Sequence, residues 1–260
     1  MIRAMHTAAS GMIAQQNNVD VISNNLANVN TTGFRKSRAE FEDLIYQTYR
    51  TAGGTLGDNQ RLPTGIQVGE GVRTVSTTQT HMQGSLLQTG NKLDAAIEGS
   101  GFFQVTLPGG QLAYTRSGNF KEDAEGRLVT VDGYLVEPAI SIPTNATSVT
   151  ISATGSISVT LPDQTSSQEI GQLTLANFVN PSGLTPIGRT MFVPTDASGQ
   201  ALVTMPGQEG VGTLQQGFLE ASNVEVVNEM IDLIAAQRAY EVNQRVITTS
   251  DEMLRVVTQR

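Results

Sequence analysis

Residues 224–258 read VEVVNEMIDLIAAQRAYEVNQRVITTSDEMLRVVT, and the spacing of their apolar side chains decides how the chain must fold. Val226, Met230, Leu233, Tyr240, Ile247 and Leu254 recur at helical spacing on one stripe, with Ile231, Ala235, Val242, Val246, Met253 and Val256 on the stripe beside it. This spacing predicts a helix from about Val224 to about Thr258. Ser222 and Glu225 stand where a capping box would open it. Glu229 and Asp232 near its start, and Arg255 and Arg260 near its end, suit the helix dipole, and Glu241 with Arg245 has the spacing of a favourable pair. One partner helix covers one stripe, so two stripes call for more apolar surface than a single neighbour offers.

The other end of the chain carries a matching pattern. Ile2, Met5, Ala9, Met12, Gln16, Val19, Ser23 and Leu26 follow a heptad spacing, which predicts a second helix seeking a partner. It should end in the stretch holding Asn24, Asn25, Asn28 and Asn30, before Gly33, because asparagine is weak inside helices and tolerates the left-handed terminal conformation. The amides of Asn24, Asn25 and Asn28 are candidates for hydrogen bonds that fix register there. At 1.5 Å per residue the two helices would be roughly 50 and 40 Å long. The ends are therefore expected to fold together and to complete their burial against neighbouring copies.

Between the ends the period changes to two, as in Ser148 to Ser152, Ser156 to Leu161 and Gln172 to Phe178. Turn signals punctuate these strands at Pro108-Gly109-Gly110, Asp123 to Gly126, Asp132-Gly133, Pro162-Asp163 and Pro181 to Gly183. The expected class is α+β. Residues 1–30 plus 224–260 would form a discontinuous coiled-coil domain and residues 70–204 a central antiparallel β domain. Residues 31–69 plus 205–223 would connect them, with a Gly-rich extension at about 46–65 lying outside any core.

Composition narrows the chemistry. A formal net charge of −8 leaves no basic face for phosphates, which disfavours nucleic acid and anionic lipid. No apolar run is long enough for membrane insertion, and residues 1–18 lack the apolar core of a cleaved secretory signal. With no Cys there is no disulfide or thiolate site. His6 and His81 stand in no metal-ligand or nucleophile-base spacing, so no cofactor or metal is expected. Asp123, Glu125 and Gly126 read as a hairpin turn, and Gly99-Ser100-Gly101 as a tight turn instead of a dinucleotide loop. The rival classes are a β-rich glycan hydrolase, whose two carboxylates need only meet in space, and a surface adhesin. Neither accounts for matching helices at both chain ends.

The segment from Ser23 to Phe34, with Asn24, Asn25, Leu26, Asn28, Thr32, Gly33 and Phe34, resembles the N-terminal signature of the flagellar rod, hook and hook–filament junction family. Ser222-Asn223-Val224, Glu229-Met230-Ile231, the run Gln237, Arg238, Ala239, Tyr240, Glu241, Val242, Asn243, and Asp251 to Leu254 resemble its C-terminal motif. Phe41 to Thr48, Gly99 to Val105 and Tyr114 to Phe120 are most similar to the family's distal-rod members, with proximal-rod and hook subunits the nearest alternatives. The resemblance implies a structural subunit, not an enzyme. It would leave the cell unprocessed through the type III export apparatus and assemble as a helical homopolymer in the rod that crosses the periplasm. There it would transmit torque, pass later subunits through its channel, and meet proximal-rod, hook and L/P ring proteins. Ile2, Met5, Met12, Val19 and Leu26, with Met230, Leu233, Tyr240, Ile247 and Leu254, are then the expected coil contacts, and residues 46–65 the expected bridge to adjacent subunits.

Overall fold

The computed structural model describes residues 2–52, 55–57, 60–61, 63–162 and 166–258. The chain divides into two compact units that interleave along the sequence: Met1–Leu26, Ser37–Thr78 and Glu225–Arg260 in the first, Ala27–Lys36 and Gln79–Val224 in the second. Helices at both ends and an antiparallel β-rich centre make the class α+β.

In the first unit, α1 (Ile2–Ala27) ends inside the Asn-rich stretch and α2 (Val226–Thr258) follows the extent read from its apolar spacing. Its opening differs from the expected capping box. Glu225 supplies the first helical acceptor, taking the Glu229 N–H at 3.0 Å. Ser222 therefore lies too far upstream to cap, and its hydroxyl accepts from the Val224 N–H at 3.3 Å. The Glu225 carboxylate takes the Asn228 amide instead. Glu241 pairs with Arg238 three residues back, not with Arg245.

The described residues of the Gly-rich stretch pair as short antiparallel strands, a ribbon. Tyr46–Arg50 pairs antiparallel with Ile66–Gly69, and Thr55–Gly57 with Gln60–Arg61. Every residue of Tyr46–Arg50 is exposed, so the ribbon owes its form to backbone pairing and not to a core. A hydrogen bond from the Leu44 N–H to the Gly71 carbonyl, 2.9 Å, closes its base.

The second unit is organised by strand Phe102–Thr106. It pairs with Leu112–Thr115 on one edge and, on the other, with Leu135–Glu137 and Leu175–Asn177. Side chains of a strand alternate between faces, and both faces here are covered. Phe103 and Val105 enter a large core with Ile97, Phe120, Val136 and Leu175, whereas Phe102 enters a smaller one with Tyr114, Phe178 and Phe192. A three-stranded sheet, Ser148–Ile151, Ser156–Thr160 and Gln168–Gln172, adds Ile151, Ile157 and Val159 to the large core. Residues 205–223, read from the sequence as connection, hold Thr213–Gln216 paired with Ala95–Glu98, and Phe218–Glu220 paired with Leu86–Gln88. Leu214 and Leu219 are buried, which gives these strands a place in the β unit.

Candidate functional site

The most heavily constrained point of the second unit is Glu220, the last residue of strand Phe218–Glu220 and only 1% exposed. Two guanidiniums reach it: Arg35 Nη1 lies 2.8 Å from Oε1, and Arg116 Nε donates to Oε2 at 2.8 Å. The Gly84 N–H adds a third donor at 2.9 Å. A carboxylate removed from water is costly unless charge and hydrogen bonds replace its hydration, and here they do. Arg116 spends its other donors on the carbonyls of Ile97, Gly99 and Gly101. Burial pulls the Arg116 pKa below its ordinary value, and Glu220 opposes that pull.

This cluster explains the glycine of the N-terminal signature. The Gly33 N–H donates to the Glu220 carbonyl at 2.9 Å. Gly33 has a φ of +70°, and a β-carbon there would stand 2.7 Å from the Ser117 nitrogen. A side chain at this position is excluded both by conformation and by the backbone it would strike. Thr32 bonds the Ser117 hydroxyl, and two residues after Gly33 the chain delivers Arg35 to the carboxylate. Asn223 completes the junction. Its Oδ1 accepts from the Lys36 N–H at 2.7 Å, and its Nδ2 donates to the Thr80 and Met82 carbonyls.

In the first unit the two helices meet through small and amide side chains. Asn25, 1% exposed, donates from Nδ2 to Glu229 Oε2 at 3.1 Å and to the Ser37 carbonyl, and its Oδ1 accepts from the Ser37 N–H. A β-carbon at Gly11 would stand 2.9 Å from Asn243 Nδ2. Asn25 and Gly11 are fourteen residues apart, as are Glu229 and Asn243, so α1 and α2 run antiparallel with contacts in step over two heptads. Buried Ala236 and Ser250 lie on the same heptad of α2. The inward stripe is thus Glu229, Ala236, Asn243 and Ser250, a set that hydropathy alone passes over.

The expected coil residues divide between faces. Leu233, Ile247 and Leu254 are half-buried, while Met230 and Tyr240 are 52% and 39% exposed. Met5, Met12, Val19 and Leu26 are half-buried and Ile2 is exposed. Asn24, Gln237 and Arg238 lie on the surface, and Asn28, Thr32, Phe34 and Ala239 are half-buried. Val227, Ile231, Ile234, Val242, Met253 and Val256 leave α2 with a long exposed apolar face. Arg35 and Glu220 escaped the sequence reading, Arg116 entered it only inside the Tyr114 to Phe120 resemblance, and Glu229 was read for the helix dipole and the C-terminal motif but not as the partner of Asn25, because charged residues far apart in the chain carry no periodic signal. Among the described residues no cluster of His, Asp or Glu could hold a metal ion, and no helix is long and apolar enough to cross a membrane.

Comparison with known proteins covers the same three regions. The family model for flagella basal body rod proteins matches residues 5–35, that for the D1 domain of the flagellar hook proteins FlgE/F/G matches residues 96–159, and that for the C-terminal region of flagellar basal body rod FlgEFG proteins matches residues 215–260. The chain is 51% identical to the flagellar basal-body rod protein FlgG of Caulobacter vibrioides, over 99% of each chain. It is 50% identical to FlgG of Buchnera aphidicola from Acyrthosiphon pisum, over 100% of each. A flagellar hook protein FlgE of Helicobacter mustelae is 47% identical, but over 53% of this chain and 30% of that protein.

Two outcomes test the geometry. Glu220→Gln leaves Arg35 and Arg116 buried without a carboxylate and should destabilise the β unit by about 3–5 kcal/mol, read as a lower denaturation midpoint. His81 is the second probe. Burial first, then Arg35 and Arg116, push its pKa from 6.5 down to about 4, so the folded state holds it neutral where the unfolded state takes up a proton. Its contribution to stability is therefore complete above pH 6.5, declines as the pH falls and levels off below about 4. The difference in unfolding free energy between the parent chain and His81→Gln, followed from pH 7.5 to pH 3.5, should shrink in that window.

Proposed function

The chain belongs to the flagellar basal-body rod protein family, and from that premise we propose that it polymerises into a hollow helical shaft through its two terminal helices. It is a structural subunit of the distal rod of the bacterial flagellar basal body. Rod proteins match it from end to end, whereas the hook protein matches half of it, so a hook role is disfavoured.

The observation that carries the polymer reading is the apolar face left on α2 after it has paired with α1. Exposed valines, isoleucines and methionines along 33 helical residues make a patch that solvent does not tolerate in a finished particle. Contacts repeated between identical copies, heterologous and non-closing, cover such a face and generate a tube. Residues 1–30 and 224–260 then form the assembly domain, with Ile2, Met5, Met12, Val19 and Leu26 opposite Met230, Leu233, Tyr240, Ile247 and Leu254 of this or an adjacent copy. The work is mechanical and not catalytic: packing transmits torque to the hook, and the channel passes later subunits. Proximal-rod and hook proteins are the axial neighbours, and L/P ring proteins surround the tube where it crosses the periplasm. The subunit reaches that place through the type III export apparatus without a cleaved signal.

Leu233→Asp should abolish rod assembly, scored by electron microscopy of isolated basal bodies, while the far-ultraviolet signature of the β unit persists; normal rods from this variant would refute the coil reading. The exposed ribbon is proposed to bridge copies and stiffen the tube. Because the Leu44–Gly71 hydrogen bond already brings its base together, residues 46–69 can be removed with the ends kept in place. The resulting rods should be curved or flexible, and straight rods would remove the ribbon from this role.

A further inference from the structure

A cavity of about 490 Å³ opens in the β unit beside the Glu220 junction, lined among others by Arg35, His81, Ser100, Arg116, Phe178 and Val179. Its electrostatics are unbalanced. Arg35 and Arg116, each 2% exposed, share the single carboxylate of Glu220, so the buried cluster carries one positive charge in excess. No acidic residue is among those that line the cavity. Arg116 is engaged by Glu220 and three carbonyls, whereas the buried Nε–H of Arg35 has no partner among the described residues.

His81 does not supply the missing anion or add to the charge. Its ring packs edge-on to Phe102 and Phe192, and its buried Nδ1 has no hydrogen-bond partner among the described residues. Burial and the two arginines keep it neutral. An unshared buried cation with an idle donor is destabilising until an acceptor of opposite charge reaches it. We propose that this cavity is a receptor for the carboxylate of an aspartate or glutamate side chain carried by a neighbouring copy of the chain.

Two features select that occupant. The chain has 24 acidic residues against 16 basic ones, so each copy brings carboxylates in excess to a neighbour's cationic pocket. The lip of the cavity bears Val179, 85% exposed, an apolar side chain that an arriving surface would cover. The inference rests on self-assembly as proposed above and adds a charged contact between β units to the helical one.

The test places a photo-crosslinking benzophenone amino acid at position 179 of the full chain, in cells that build rods. Its exposure makes the substitution harmless to folding. The expected product is a crosslink to a segment of a second copy that contains Asp or Glu. Changing that acid to its amide should lower the crosslink yield roughly tenfold, and Val179→Glu, which sets a rival carboxylate at the lip, should reduce the number of assembled rods. Crosslinks to an acid-free segment, to a different protein, or to nothing in rods that contain the chain would overturn the proposal and leave self-assembly intact. Saturable binding of free acetate or sulfate to the soluble chain, followed by NMR at His81 and Arg116, without a crosslink in rods, would assign the cavity to small anions and overturn it equally. Rods that form without the chain would remove the assembly reading itself.

Discussion

One buried carboxylate sets the terms for the β unit. The Glu220 side chain can sit away from water only because Arg35, Arg116 and Gly84 stand in for its hydration, and each comes from a different part of the chain. Arg35 follows the glycine turn after α1, Arg116 follows strand Leu112–Thr115, and Glu220 closes the strand that leads toward α2. Removing Glu220 strands two guanidinium charges in a medium of low dielectric, and removing either arginine takes donors from a buried carboxylate. The segments on the inner side of both terminal helices are thereby tied to the same sheets.

The sheet itself follows from a simpler constraint. Strand Phe102–Thr106 is buried on both faces, so it alternates its side chains between two apolar layers instead of between core and water. Phe102 and Phe103, adjacent in sequence, belong to different cores. The tight turn Gly99-Ser100-Gly101 before the strand also provides the two glycine carbonyls that receive Arg116, which links the sheet's centre to the ionic cluster.

The terminal helices show how a subunit avoids satisfying itself. If the large apolar residues of α2 had all turned toward α1, little would remain for other copies. Gly11 against Asn243 and Asn25 against Glu229 bring the helices together through small and amide groups, which specify register by hydrogen bonds and close approach. Met230, Ile231, Ile234, Val242 and Met253 stay outside.

Local pattern was enough to place both helices, the turns at 108–110, 123–126, 132–133 and 181–183 and the end of α1 in the Asn-rich stretch, because periodicity, left-handed tolerance and turn chemistry act over a few residues; Asp163 of the turn read at Pro162-Asp163 lies outside the described residues. Gly33 and Asn25 could be picked from their motif, although not their partners, Ser117 and Glu229. Only the tertiary structure decided which stripe of α2 faces inward, since the choice depends on how closely Gly11 lets the helices approach. It alone turned residues 213–220 from connection into strands and gathered Arg35, Arg116 and Glu220 around one point. Charge pairing between residues so far apart in the chain leaves no period for a sequence to display; it exists once the sheets have folded and water has been excluded.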